Sequence, residues 1–281
     1  MSTVKRTNIS AVTKGLVAAA LFILVGSRTG VADPHSRSLP IIVYHQIRVS
    51  GDEPADGATA ISLEKFESQM AYLHEQGYTT LSMDEVMRFL RGEPFPEKVI
   101  AIHLDDGWKS GLNAVPVLNR FDFKASFWII AGKGIGDPHM DWADIQQLSE
   151  NPGFEILSHT MTHPWKERDT LVDWVNGLTP GKGLDQARWE LTESRRVLEN
   201  KLGKPVRYLA WPSGFYDDFL IHLAQQAGYI ALLTIDNGVN HPGDDPLRIH
   251  RAMINGTCEQ QVFWQILRDG RYRNCDSGTA H

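Results

Sequence analysis

The chain has 281 residues, 42% hydrophobic and 22% charged, with a formal net charge of −6 at pH 7. That length holds one large domain or two small ones, and the composition fits no collagen, repeat array or long disordered chain. The acidic balance argues against nucleic acid or an anionic membrane as a partner, because both favour a basic surface.

The first 32 residues differ from the rest. Lys5, Arg6 and Lys14 make a basic start without an acid, and Gly15 to Gly26 form an apolar core too short to cross a bilayer comfortably. Gly30, Val31 and Ala32 supply small residues before Asp33. This pattern is that of a secretory leader over 1–32, with an uncleaved anchor as the alternative. Residues 33–281 then form one exported domain, periplasmic or secreted, made more acidic by the loss of Lys5, Arg6, Lys14 and Arg28. Cys258 and Cys275 either pair, as an exported chain permits, or stay as two thiols.

Further along, Pro40 to His45 reads as a buried strand ending on a histidine, and residues 48–60, rich in glycine, proline and acids, as a loop. Ser62 caps a helix carrying Leu63, Phe66, Met70 and Leu73, closed by Gly77. Ser82 and Glu85 form a capping box for a second helix. The run Val99, Ile100, Ala101, Ile102 and Leu104 reads as a strand buried on both faces, and it stops at Asp105, Asp106 and Gly107. In an extended chain those two carboxylates point to opposite sides. They make either a polar Asp-Gly turn or a metal ligand beside a general base.

Residues 110–120 read as a helix with Pro116 near an end or a kink. Strands are expected at 125–130, 154–157, 206–210, 229–234 and 247–254. Helices are expected at 141–150, 185–202, from 215 to about 227, and 259–268, with a polar insertion from His163 to about Gly183. Strands and helices alternate throughout, which implies a mainly parallel sheet. No dinucleotide or phosphate loop follows the first strand. His45, Asp105, Asp106, His159 and Trp211 all fall just past strand ends, and such ends converge on one mouth in a barrel. The expected fold is an incomplete, barrel-like α/β domain.

His159 and His163 lie four apart, so one helical turn would place them on one side. Two imidazoles and one carboxylate make a three-ligand site with an open position for water. A divalent ion there brings the pKa of water down and polarises a carbonyl. A second Asp held off the ion can take a proton, and His45 can give one to a leaving amine. His139, His241 and His281 read as surface residues.

With these residues in place, the chain resembles the polysaccharide deacetylases of carbohydrate esterase family 4. Their Thr-Phe-Asp-Asp-Gly motif is similar to His103-Leu-Asp-Asp-Gly107, and their His-Ser/Thr-x-x-x-His motif, in shortened form, to His159-Thr-Met-Thr-His163. The resemblance covers roughly residues 40–255. It implies an incomplete (β/α) barrel and a metal-dependent N-deacetylase acting on an N-acetylated glycan. Asp105 is then the catalytic base, and Asp106, His159 and His163 are the metal ligands. Zinc is the expected ion, although cobalt, nickel and iron suit the same donors.

The family's Arg-x-Pro-Tyr-Gly corresponds to Ala210-Trp211-Pro212-Ser213-Gly214. Trp211 to Gly214 are the expected substrate-binding segment, with the Ser213 backbone N–H facing the oxyanion. The arginine that steadies the base is missing from this motif. Ile42-Val-Tyr-His45 resembles the subgroup acting on poly-β-1,6-N-acetylglucosamine, which makes His45 the acid. Leu247-Arg-Ile-His250 resembles the usual late motif and makes His250 the alternative. Trp108, Trp165, Trp211 and Phe215 offer faces for sugar stacking or pack the rim. A non-catalytic glycan-binding barrel and a metal amidohydrolase for small amides, with a deep closed pocket, remain as alternatives.

Overall fold

The computed structural model describes residues 37–49, 59–132 and 134–275. The leader read over 1–32 and His281 lie outside the described residues. In chain order the strands and helices are β1 (Ile41–Tyr44), β2 (Gln46–Arg48), β3 (Ala60–Ser62), α1 (Leu63–Glu75), β4 (Thr79–Thr80), α2 (Met83–Leu90), β5 (Val99–Leu104), α3 (Val115–Arg120), β6 (Ala125–Ile129) and α4 (Trp142–Glu150). They continue with β7 (Phe154–Ser158), β8 (Trp165–Lys166), β9 (Asp169–Thr170), α5 (Leu171–Val175), α6 (Leu184–Leu202), β10 (Tyr208–Ala210), α7 (Asp218–Gln226), β11 (Ala231–Leu233), β12 (Ala252–Met253) and α8 (Gln260–Asp269).

Among the described residues the main sheet has eight strands, in the order β11-β10-β7-β6-β5-β1-β12, with β4 joined to the start of β5. Its ladders are parallel. Beyond β11, a single parallel bridge joins Leu233 to Ile249, just before the chain pairs with β1 through β12. The sheet therefore curls into an open half-barrel, and the segment 246–253 reaches across its gap. The expected long final strand is only two residues of ladder, because this segment serves two neighbours in turn.

The continuous apolar pattern of β5 has a direct cause. Ile100, Ile102 and Leu104 belong to the large core under the helices, while Val99 and Ala101 belong to a second core with Trp128, Leu157, Ala210, Leu233 and α2. A strand with apolar residues on both faces loses the period-2 alternation of a half-exposed one. Helix starts follow local chemistry. Ser62 caps α1, and reciprocal capping boxes set α2 through Ser82 and Glu85 and α4 through Asp141 and Asp144. Pro116 sits in the first turn of α3, after a 3₁₀ stretch at Lys109–Ala114, where its missing N–H breaks no bond.

The loop expected at 48–60 contains the ends of a short parallel pair, β2 with β3. The polar insertion after His163 is an antiparallel hairpin, β8–β9, followed by α5. Buried Trp174 on α5 holds this hairpin by donating its indole N–H to Asp169 at 2.6 Å. Cys258 and Cys275 are joined by a disulfide that spans α8. No helix among the described residues is long and apolar enough to cross a membrane.

Candidate active site

The C-terminal ends of the strands open on a cavity of about 600 Å³. Its wall includes His45 after β1, Asp105 and Asp106 after β5, His159 and His163 after β7, and Arg251 before β12. The two carboxylates do not diverge as an extended chain would make them. Asp106 and Gly107 both have φ of 69°, so the strand breaks at Asp106 and both acids turn to the same side. Aspartate tolerates this left-handed region better than most residues. Gly107 suits this backbone, and a Cβ there would also crowd Ile129 Cδ1 at 3.1 Å. His159 Nε2 consequently lies 3.4 Å from Asp106 Oδ1 and 3.8 Å from Asp105 Oδ2.

His159 and His163 converge without the helical turn expected from their spacing. The segment is a loop with Thr160 at φ 64° and His163 at φ 53°. Each such non-glycine residue costs on the order of 1 kcal/mol or more and persists only when its surroundings hold it. Buried Glu190 on α6 does the holding. It accepts the backbone N–H groups of Met161 and Thr162 at 2.8 and 2.9 Å, and the Thr162 hydroxyl at 2.5 Å. Glu190→Gln keeps the shape, and the Thr162 hydroxyl can turn to accept from the NH₂, but charge-assisted bonds become neutral ones. We expect it to weaken divalent-metal affinity by about tenfold and to lower unfolding stability by about 1–3 kcal/mol. Metal titration and urea denaturation read the two effects separately. Unchanged metal affinity would reduce Glu190 to an anchor of the fold.

Asp106 Oδ1, His159 and His163 form a cradle whose three donor atoms lie within 4.8 Å of one another. Asp106 Oδ1 is 3.5 Å from His163 Nε2, close to its distance from His159. Ligand bonds of about 2.0–2.1 Å in a tetrahedron put donor atoms about 3.3–3.4 Å apart, so these separations suit a small divalent ion. Asp106 Oδ1 is also buried without a hydrogen-bond partner, as a ligand atom would be. His159 Nδ1 sits 2.8 Å from the Ala210 carbonyl, which requires Nδ1–H and leaves the Nε2 lone pair facing the cradle. Burial lowers the pKa of His163 to about 4, with the neighbouring His159 adding to the effect, so its imidazole is neutral near pH 7. Burial works against the charge on Asp106 too, but the histidines around it outweigh this and hold the carboxyl far below its usual value.

Asp105 has a different environment. Both guanidinium Nη atoms of Arg251 donate to its two oxygens at 2.9 Å, and Arg251 Nε donates to the Thr234 carbonyl at 2.9 Å. The arginine is fully buried and lies over the Trp128 ring. Burial pushes the Asp105 carboxyl up, but Arg251, followed by His159 and His45, brings it below the ordinary value. Arg251 thus occupies the role left open by Ala210 in the third motif. Its trace in the sequence is one arginine beside Ile249 and Ala252 in an apolar strand. Its neighbour His250, the alternative acid, is sent the other way by alternation. The His250 ring packs on Gly238, and the residue is not part of the cavity wall. His45 is part of it.

Of the expected substrate-binding segment, Trp211 and Ser213 reach the cavity, Pro212 is buried, and Gly214 belongs to a neighbouring groove. Trp211 is buried and stacks on Tyr216 at a centroid distance of 6.3 Å. Ser213 and Gly214 have φ of 50° and 71°, and a Cβ on Gly214 would stand 2.3 Å from Ile235 Cγ1, which makes glycine obligatory there. His139, expected on the surface, lines the cavity and stacks on Trp108 at 4.3 Å. The cause is the close pairing of Trp108 with His139, an antiparallel bridge between loops far apart in sequence.

An open parallel half-barrel with an Asp-His-His cradle beside an arginine-held aspartate defines a class of hydrolytic site. The family description "Polysaccharide deacetylase" matches residues 92–232, and the chain belongs to that family. Bacillus subtilis YxkH, named for polysaccharide deacetylases, is 29% identical over 80% of this chain and 74% of its own. The Escherichia coli K12 poly-β-1,6-N-acetyl-D-glucosamine N-deacetylase is 23% identical over 73% of this chain, which spans only 35% of that protein. Among solved structures, IcaB from Ammonifex degensii superposes with a TM-score of 0.70 at 23% identity, covering 83% of this chain and 96% of its own, a likeness of fold.

Proposed function

We propose that the protein removes N-acetyl groups from an extracytoplasmic polysaccharide containing N-acetylglucosamine, using a divalent cation held by Asp106, His159 and His163, with zinc the best match to the donors. The observation that carries this reading is the meeting, in one cavity, of that cradle with the Arg251-clamped Asp105 and with His45. When bound, the ion supplies Lewis acidity toward water and the acetamide carbonyl. Asp105, fixed in its ionised form, accepts the proton of the attacking water. His45 delivers a proton to the nitrogen as the C–N bond breaks, and acetate and a free amine leave. The leader pattern over 1–32 and the disulfide support a location outside the cytoplasm.

The E. coli relative's name supports a poly-N-acetylglucosamine substrate. A chain-like substrate is favoured over a small amide by the shape of the surface. A second groove of about 730 Å³, lined by Trp165, Gly214, Phe215 and Tyr216, shares Trp165 with the catalytic cavity. Trp165 is 56% exposed and Phe215 49%, an arrangement that suits sugar faces. A non-catalytic barrel would fit the absence of the third-motif arginine, but the Arg251 clamp on Asp105 supports a catalytic reading.

The test is acetate release from N-acetylglucosamine oligomers with the purified protein, after chelation and after adding back single metals. Activity lost to chelator and restored by one divalent ion is expected. Full activity in the metal-stripped protein, or none on any oligomer, would overturn the reading. Trp165→Ala is expected to raise KM for pentamers about tenfold, equal to about 1.4 kcal/mol, and to leave turnover of a dimer unchanged. No change on either length would remove Trp165 from substrate binding.

A further inference from the structure

We propose that Trp108 is a positioning residue that restricts Asp106 to binding the metal through one oxygen. The inference rests on the metal cradle proposed above and concerns how the carboxylate is presented to it. The Trp108 indole N–H donates to Asp106 Oδ2 at 3.0 Å, while Oδ1 faces His159 and His163 and has no hydrogen-bond partner. An indole N–H can only donate, so it selects an oxygen that is not donating and keeps it turned away from the ion. The other oxygen is left as a single ligand atom. A carboxylate free of such a bond can swing both oxygens onto the ion, filling the coordination position that water and substrate need.

The loop at 137–140 holds Trp108 both by its ring and by its backbone. The indole stacks on His139 with rings 4.3 Å apart and 24° from parallel. The backbones of Trp108 and His139 form a β-bridge. The next residue, Lys109, donates its N–H to Pro138 O at 3.0 Å. Burial lowers the His139 pKa, so a neutral ring lies against the indole. The loop at 137–140 therefore acts on the cradle through Trp108, although none of its residues contributes to the cradle of Asp106, His159 and His163. Groups that orient a ligand in this way are commonly worth ten- to a hundredfold in metal affinity.

Trp108→Phe retains the ring and its stack and removes only the donor. We expect its Zn²⁺ dissociation constant, measured by competition with a chromogenic chelator, to rise about tenfold or more. The visible absorption of the Co²⁺-loaded protein should lose intensity as coordination number increases. A second measurement separates orientation from general loosening. In Asp106→Asn the indole must face the amide oxygen, which turns the NH₂ toward the cradle and nearly abolishes binding. In the double variant Trp108→Phe/Asp106→Asn the amide is free to flip, so binding should recover part of that loss. An unchanged dissociation constant and Co²⁺ spectrum in Trp108→Phe would overturn the proposal. So would additive losses in the double variant. If the unmodified protein takes up no divalent ion in either assay, the proposed metal site itself fails, a result distinct from normal binding that ignores Trp108.

Discussion

Asp105→Asn is expected to cut acetate release by about a thousandfold while the protein still binds the divalent ion proposed for the cradle, a loss within the usual range for a positioned general base. The substitution preserves shape and leaves one oxygen for Arg251, but an amide accepts no proton at neutral pH. Metal content is the control, since the cradle is built from Asp106, His159 and His163 and does not include Asp105. Stability will fall as well, because the buried guanidinium loses its counter-charge. Turnover should therefore be measured where circular dichroism shows the variant folded. A rate equal to that of the unmodified protein would remove Asp105 from the chemistry.

Arg251→Met is expected to lower unfolding stability by about 3–5 kcal/mol, since removing one partner of a buried pair strands the other. The two bonds of 2.9 Å to Asp105 and the third to Thr234 O are all lost. Pairing this variant with Asp105→Asn should recover much of the stability but none of the activity, because no buried charge is then left unmatched. Arg251→Lys should rescue only in part, for an ammonium cannot hold both oxygens in one plane. The pH profile gives an independent readout. Burial raises the Asp105 pKa, and Arg251 is the chief group lowering it again. Without the arginine the carboxyl stays protonated to higher pH. The acidic limb of kcat/KM should then move toward neutrality, since the base works only when ionised. A limb that stays in place would show that Asp105 does not set it.

Much of the site was readable because its residues sit where apolar runs stop. A strand covered on both faces needs continuous apolar residues, so polar side chains at its C-terminal end stand out, as Asp105, Asp106 and His159 do. The family resemblance is what gives the two acids different expected roles. Arg251 escaped because nothing local distinguishes it from Arg248, three residues earlier, which makes exposed ion pairs with Asp218 and Asp245. Its function depends on a bond to a residue 146 positions away. Glu190 escaped because on a charged helix such as α6 a single inward acid has no local signature.

The sequence by itself determined the alternating elements, the capped helix starts, and the types of residue that gather at the cavity, because each follows from hydrophobic period, cap chemistry or a strand end. Tertiary structure alone decided how those residues face one another. Left-handed backbone at Asp106, Thr160 and His163 overrode the alternation and the helical turn that spacing suggests. Such conformations are unfavourable locally, and the Glu190 carboxylate holds the histidine loop from a helix distant in sequence. Long-range contacts of that kind leave no period in a sequence to read.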